Sequence, residues 1–309
     1  MKNEDEFDYG TSNKQVAKDT TTGRGNNAAE TTIVQGATEA AESDVNKITV
    51  TVTDPSPIVI LFGAGACGKT MTLIRLTNYL KSKGYIVEPE RTFRPAYSKS
   101  YKEACDTFSS VVNSTDAPGR TNKLSFMLVK VMDEQGRPIC QILEAPGEHY
   151  FTKEDPKREF PKYIKDFASY PNRRTWVFIV EKDWEDQQDR NNYAEKITEM
   201  QNQYVELKDK AIFTCHKADL HNALFTRGIP NEDLFFQAIK NQYPNIFKKY
   251  ESKHPIKKHF KQYDFDFVVF SAGRFSDTED KKKTYSPGSP DFPAKLWNAI
   301  LKTVRGSKW

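Results

Sequence analysis

Eight consecutive residues, Gly63-Ala64-Gly65-Ala66-Cys67-Gly68-Lys69-Thr70, match the pattern G-x-x-x-x-G-K-[ST]. Each letter has a chemical reason. The glycines let the backbone turn so that successive N–H groups point inward at a phosphate. Lys69 brings a positive charge to the β and γ oxygens of a nucleotide, and the Thr70 hydroxyl is a ligand for Mg²⁺. The expected cradle is Gly63, Gly65, Ala66, Cys67, Gly68, Lys69, Thr70 and Met71. This loop alone does not choose between an ATPase, a kinase and a GTPase.

Three later motifs bear on that choice. Glu144-Ala145-Pro146-Gly147-Glu148 closes a strand-like run. In a phosphate-loop protein a carboxylate there reaches toward the magnesium, and the Gly147 N–H can meet a γ-phosphate. His216-Lys217-Ala218-Asp219 follows another apolar run. Asp219 can accept two hydrogen bonds from guanine N1–H and the exocyclic amine, a donor pair that adenine lacks, while the Lys217 stem can lie over the base. Ser271-Ala272-Gly273 follows a third run. A backbone N–H there can meet guanine O6, and the serine hydroxyl can hold the loop. A solvated turn produces any one of these short matches; their order along the chain is the stronger signal.

The elements that must position these residues are legible in outline. Ile58–Phe62 is a continuous apolar run that predicts a buried strand directly before the phosphate loop. From Thr70 the spacing turns helical, with Leu73, Leu76 and Leu80 on one face and Gly84 where a helix should stop. Residues 85–123 read as a long irregular connection with one short helix near Tyr101–Val111. Leu124–Met132 and Pro138–Leu143 read as strands whose five-residue link forces an antiparallel pair. A helix is expected near Pro161–Ala168 and strands at Thr175–Val180, Ala211–Cys215 and Phe265–Phe270. Tyr193, Ile197, Met200, Tyr204 and Leu207 form one predicted buried helical stripe. Further helices are expected at Asp233–Tyr243 and Pro293–Val304, and Ile48–Val52 reads as a short strand. Alternating strands and helices imply an α/β sheet covered on both faces.

With the motifs in this order, the chain resembles a Ras-like small GTPase domain of the translation-factor-related class of P-loop GTPases, over about residues 55–305. The phosphate loop, with Cys67 before Gly68-Lys69-Thr70, is similar to that of Rho-type proteins. Glu144-Ala145-Pro146-Gly147 stands where the family has Asp-x-x-Gly, and His216-Lys217-Ala218-Asp219 where it has Asn/Thr-Lys-x-Asp. Ser271-Ala272-Gly273 stands for Ser-Ala-Lys. The antiparallel hairpin after the first helix is also a family feature and argues against most kinases. The resemblance implies a three-layer α/β sandwich with a mostly parallel six-stranded sheet and one antiparallel hairpin strand. It also implies GTP and GDP as ligands, Mg²⁺ as cofactor, hydrolysis to GDP and phosphate as a conformational switch, and a protein effector or activating partner.

The resemblance assigns further roles. Lys69 and Gly147 would stabilise the transferring phosphoryl group, and Glu148 occupies the place of the family's water-orienting Gln or His, with His149 the alternative. Thr70, Glu144 and a switch threonine would complete the magnesium shell; Thr121, just before the strand Leu124–Met132, is the choice over Thr115 and Thr92. Departures have consequences. Glu144 is longer than the usual Asp, so the metal geometry must shift. His216 in place of Asn or Thr weakens nucleotide affinity without changing base preference. The charge of Glu148 opposes the γ-phosphate, so hydrolysis is expected to be slow without a partner. A non-hydrolysing binding module and, less favoured, an ATP-using enzyme are the alternatives.

Composition agrees with this reading. The 309 residues suffice for one or two domains, and 20 Phe with 14 Tyr supply core material. Residues 1–48 carry five Lys/Arg against nine Asp/Glu with almost no aromatics, which predicts a disordered tail before a domain at 49–309. The remaining 41 basic and 33 acidic residues make a mild excess that suits polyphosphates and does not call for nucleic acid. Insertions relative to a minimal domain are expected near 85–123 and 220–264. The basic stretches Lys253–Lys261 and Lys281-Lys282-Lys283 read as solvated loops. Cys67, Cys105, Cys140 and Cys215 show no metal spacing and read as buried thiols of a reducing cytoplasm. No signal peptide or membrane-length apolar run is present in the sequence.

Overall fold

A computed structural model describes residues 44–113, 126–252, 262–277 and 283–305. Residues 1–43, Thr115, Thr121 and the stretch 253–261 lie outside the described residues. Strand β1 (Ile58–Phe62) is buried at every position, as a central strand covered on both faces must be. Helix α1 (Lys69–Ser82) leaves the phosphate loop and ends in a left-handed turn: Gly84 has φ 83°, its N–H meets Lys81 O at 3.1 Å, and Tyr85 N–H meets Leu80 O at 3.1 Å. Then follow β2 (Ile86–Pro89), α2 (Lys99–Asn113), β3 (Met127–Met132), β4 (Pro138–Glu144), α3 (Lys162–Ser169) and β5 (Arg174–Glu181). The remainder comprises α4 (Gln187–Tyr204), β6 (Lys210–His216), the short pair β7 (Phe225–Thr226) and β8 (Ile229–Pro230), α5 (Glu232–Gln242) and β9 (Asp266–Val269). A hairpin, β10 (Gly273–Asp277) and β11 (Lys283–Pro287), precedes the last helix, α6 (Asp291–Val304).

The main sheet runs β2-β3-β4-β1-β5-β6-β9, with β3 antiparallel to both β2 and β4 and every other pair parallel. This is the expected α/β sandwich with one correction: the sheet has seven strands, not six. The extra strand, β2, lies inside the stretch expected to be irregular. Its four residues are too few to show a period, and its terminal Pro89 is tolerable because β2 is an edge. Helix α2 is likewise longer than expected, at 15 residues.

Side chains of register partners share a face of the sheet. Phe62, Phe178 and Phe213 are such partners and form an aromatic ladder, with centroids 5.5 and 5.2 Å apart. Tyr193 of α4 packs on the ladder at Phe62, and Phe247 packs on it at Phe213. Three residues before Phe178, Thr175 faces the opposite layer and meets Thr303 of α6 at 2.9 Å. There α1 packs against both α2 and α6.

Two further expectations are corrected. Ile48–Val52 forms no strand, because its backbone is partnered by side chains and loops instead of a ladder. Thr51 N–H meets Phe93 O at 2.8 Å, and Tyr170 Oη donates to Val50 O at 3.1 Å. Ile48 and Val50 are nevertheless buried, so the core begins upstream of residue 49. Leu207 does not join the stripe of Tyr193, Ile197 and Met200 and is 99% exposed. Asp209 accepts from Glu206 N–H at 3.1 Å, bending the chain into a turn just after α4 ends at Tyr204.

Candidate functional site

Because β1, β4, β5, β6 and β9 are parallel, their carboxyl ends lie along one edge of the sheet, where open α/β folds bind ligands. All the sequence motifs fall on that edge. The phosphate loop joins β1 to α1, with Gly65 and Ala66 exposed and Gly63 and Cys67 buried. Ala66 and Gly68 have φ of 58° and 95°, the left-handed turns that curl the loop. Lys69 is buried, and its Nζ donates to Gly63 O at 2.9 Å and Ala64 O at 2.8 Å. The ammonium is thereby folded back under the loop. Met71 is half-buried in the first turn of α1. Burial pushes the Cys67 thiol up, so it is a neutral packing group.

Glu144 ends β4 and is almost fully buried. Its Oε1 accepts from the Thr70 hydroxyl at 3.0 Å, and its Oε2 from Phe126 N–H at 3.2 Å. Burial raises its pKa, opposed by the Lys69 charge and by these hydrogen bonds. Gly147 lies directly on the phosphate loop: a Cβ there would stand 2.2 Å from Gly65 N and 2.3 Å from Ala64 C. Only glycine permits so close a backbone approach. Glu148 is exposed and turns toward the same loop, its Oε1 2.9 Å from where a Cβ on Gly65 would be. His149 points elsewhere. Its Nδ1 lies 2.9 Å from Tyr163 Oη and its ring packs edge-on to Phe126, and burial lowers its pKa to about 4. Of the threonines considered for the metal, only Thr92 is described; its hydroxyl donates to Glu90 at 2.6 Å.

At the other end of the loop, His216 closes β6 and its Nδ1 lies 3.1 Å from Cys67 O. A carbonyl only accepts, so Nδ1 carries the proton. This bond ties the His216–Asp219 turn to the phosphate loop. The ring stacks on Phe270 at 4.9 Å, and burial lowers its pKa to about 3. Lys217 is left-handed, with φ 55°, and its Nζ meets Glu181 Oε2 at 2.6 Å. Asp219 accepts from the Ser271 hydroxyl at 2.6 Å, and Ser271 Oγ accepts from Gly273 N–H at 3.2 Å. Ser271 is buried, and Ala272 and Gly273 are half-buried. Gly273 opens β10, a hairpin not foreseen from the sequence, and Tyr285 Oη donates to Ala272 O at 2.5 Å.

No family model and no curated protein sequence matches the chain. Among solved structures it is similar to a nucleolar GTP-binding protein 1 of Plasmodium falciparum, with a TM-score of 0.37 and 13% identity, over 83% of this chain and 92% of that one. It is also similar to translation elongation factor SelB of Methanococcus maripaludis, solved with the GTP analogue GppNHp, with a TM-score of 0.33 and 12% identity. That match spans 84% of this chain and 36% of SelB. Likenesses this distant carry no argument about function, which rests on the site itself.

Two groups at the site went unnoticed in the sequence. Phe126 gives Glu144 a backbone donor, and nothing in an apolar side chain advertises its N–H. Glu181 pairs with Lys217; the available signal was its place at the end of the strand beside the one that carries His216.

Proposed function

We propose that this chain is a magnesium-dependent guanine-nucleotide-binding protein that hydrolyses GTP to GDP and phosphate, slowly without a protein partner, as a conformational switch. The supporting observation is that the four motifs are joined at one edge by three direct hydrogen bonds. These are Thr70 to Glu144 at 3.0 Å, His216 to Cys67 at 3.1 Å and Ser271 to Asp219 at 2.6 Å. The residues proposed for phosphate, metal and base are thereby tied to one another.

The donor set at Thr70 and Glu144 suits a hard cation, since both offer oxygen and Glu144 is a buried carboxylate. Thr70 and Glu144 would hold Mg²⁺, with Thr121 as the proposed third ligand, and the ion would neutralise charge on the β- and γ-phosphates. The protein's own part is positioning and electrostatics. Loop amides and Lys69 bind the β and γ oxygens, Gly147 N–H faces the γ-phosphate, and Glu148 accepts a proton from the attacking water. At the base, Asp219 accepts from N1–H and the exocyclic amine, and Ser271 fixes its carboxylate. The domain comprises residues 49–309 together with the buried segment just upstream, in a cytoplasmic setting.

One observation favours a second reading, a binding module without turnover. Glu148 brings a negative charge to the loop that holds the γ-phosphate. Titration with fluorescent GDP and GTP, competed by unlabelled ATP and GTP, tests the main proposal; displacement by ATP equal to that by GTP would remove the base assignment. Phosphate release in a single turnover separates the two readings. Asp219→Asn should lose guanine affinity by roughly 100-fold or more, about two charge-assisted hydrogen bonds, and gain xanthine affinity, read in the same titration.

A further inference from the structure

We propose that Glu181 positions Lys217 over the nucleotide base, acting through their ion pair and not as part of the sheet. The inference rests on the reading above that Lys217 faces the base. Glu181 is the last residue of β5 and the register partner of His216, one rung from the turn that carries Lys217. Its side chain is only 12% exposed, and Nζ of Lys217 lies 2.6 Å from Oε2. The backbone of Glu181 is held in turn by Tyr243, at the end of α5. The tyrosine hydroxyl donates to Glu181 O at 2.7 Å and accepts from Glu181 N–H at 3.3 Å.

Lys217 needs such a partner. Its left-handed backbone is disfavoured for a side chain with a Cβ, and its four-carbon stem has large rotamer freedom. Pinning Nζ at one end and Cα at the other turns that stem into a fixed apolar wall before a base arrives. Ordering one such side chain during binding costs about 0.5–1.5 kcal/mol, so prior ordering is worth roughly a two- to twelvefold gain in affinity. A wall over the ring face does not read the base edge, so guanine preference should remain with Asp219.

A double-mutant cycle in fluorescent GDP binding tests this, using the full chain, Glu181→Ala, Lys217→Ala and both together. Glu181→Ala should weaken GDP roughly three- to tenfold in the parent and have almost no effect once Lys217 is alanine. An equal loss in both backgrounds would mean that Glu181 merely supports β5, and no loss in either would remove it from the site; both outcomes overturn the proposal. Glu181→Gln, which keeps the shape and an acceptor oxygen, should recover part of the affinity, and melting curves show that each variant is folded. GDP against ADP in the parent protein tests the guanine reading separately. Equal binding there with a non-additive cycle would retire guanine and keep Glu181.

Discussion

Gly147 and His216 show how single residues control this site. Gly147 admits no side chain because the Ala64–Gly65 backbone occupies the space where a Cβ would lie. Gly147→Ala must therefore push the 146–150 segment off the phosphate loop. We expect GDP affinity within about threefold of the parent, with hydrolysis reduced at least tenfold, measured by single-turnover phosphate release. His216 governs pH dependence. Burial holds its pKa near 3 in the folded chain against an ordinary value of 6.5. Between those values the unfolded chain binds the proton and the folded chain does not, so stability is complete above the higher value and falls as pH drops. The slope is about 1.4 kcal/mol per pH unit. Glu144 and Glu181, both shifted up by burial, act with the opposite sign. Burial lowers the pKa of His149 with the same sign, so His216→Asn should keep the bond to Cys67 and lose only its own share of the slope, with parent and variant diverging by roughly 2 kcal/mol in urea unfolding between about pH 7 and about pH 5.

At the scale of elements, α4 separates what periodicity can tell from what it cannot. Met200 and Leu207 share the helical spacing, yet Met200 is fully buried and Leu207 stands in water. Met200→Ala should cost about 2–4 kcal/mol and Leu207→Ser less than about 0.5 kcal/mol, both read from denaturation midpoints. The difference arises because Asp209 captures the Glu206 N–H, a local competition that a hydrophobic pattern does not register. The 63–70 turn was legible for the opposite reason, since the left-handed bend at Gly68 asks for glycine and the turn lies between two strongly patterned elements. The antiparallel β3–β4 pair followed from the length of its link alone. Strand β2 was hidden by its length, and the link from Glu181 to Lys217 by the fact that parallel strands bring together residues 36 apart in sequence. Ile48–Val52 alternated like a strand but had no strand beside it.

Among the described residues one seven-stranded sheet organises the molecule, and the segment upstream of β1 is built into its core. Asp54 and Ser56 offer their carbonyls to Asn172 Nδ2, each at 2.8 Å, and Gln141 Nε2 donates to Asp54 O at 3.0 Å. Ile48 closes one end of this seam, 7% exposed. Ile48→Ala should lower stability by about 2 kcal/mol, seen as a drop in melting temperature. Among the described residues no helix is long and apolar enough to cross a membrane; α1 and α6 pack against the sheet and each other, and α2 packs against α1. The upstream segment also decides where a protease can cut. A peptide bond must leave its surroundings to enter a protease cleft; from Val50 to Ser56 the backbone is engaged by Phe93, Tyr170, Gln141 and Asn172, and the Ile48 side chain is buried. Limited digestion should therefore spare the bonds from Ile48 to Ser56, so that fragments keep Ile48, one residue before the boundary suggested by composition.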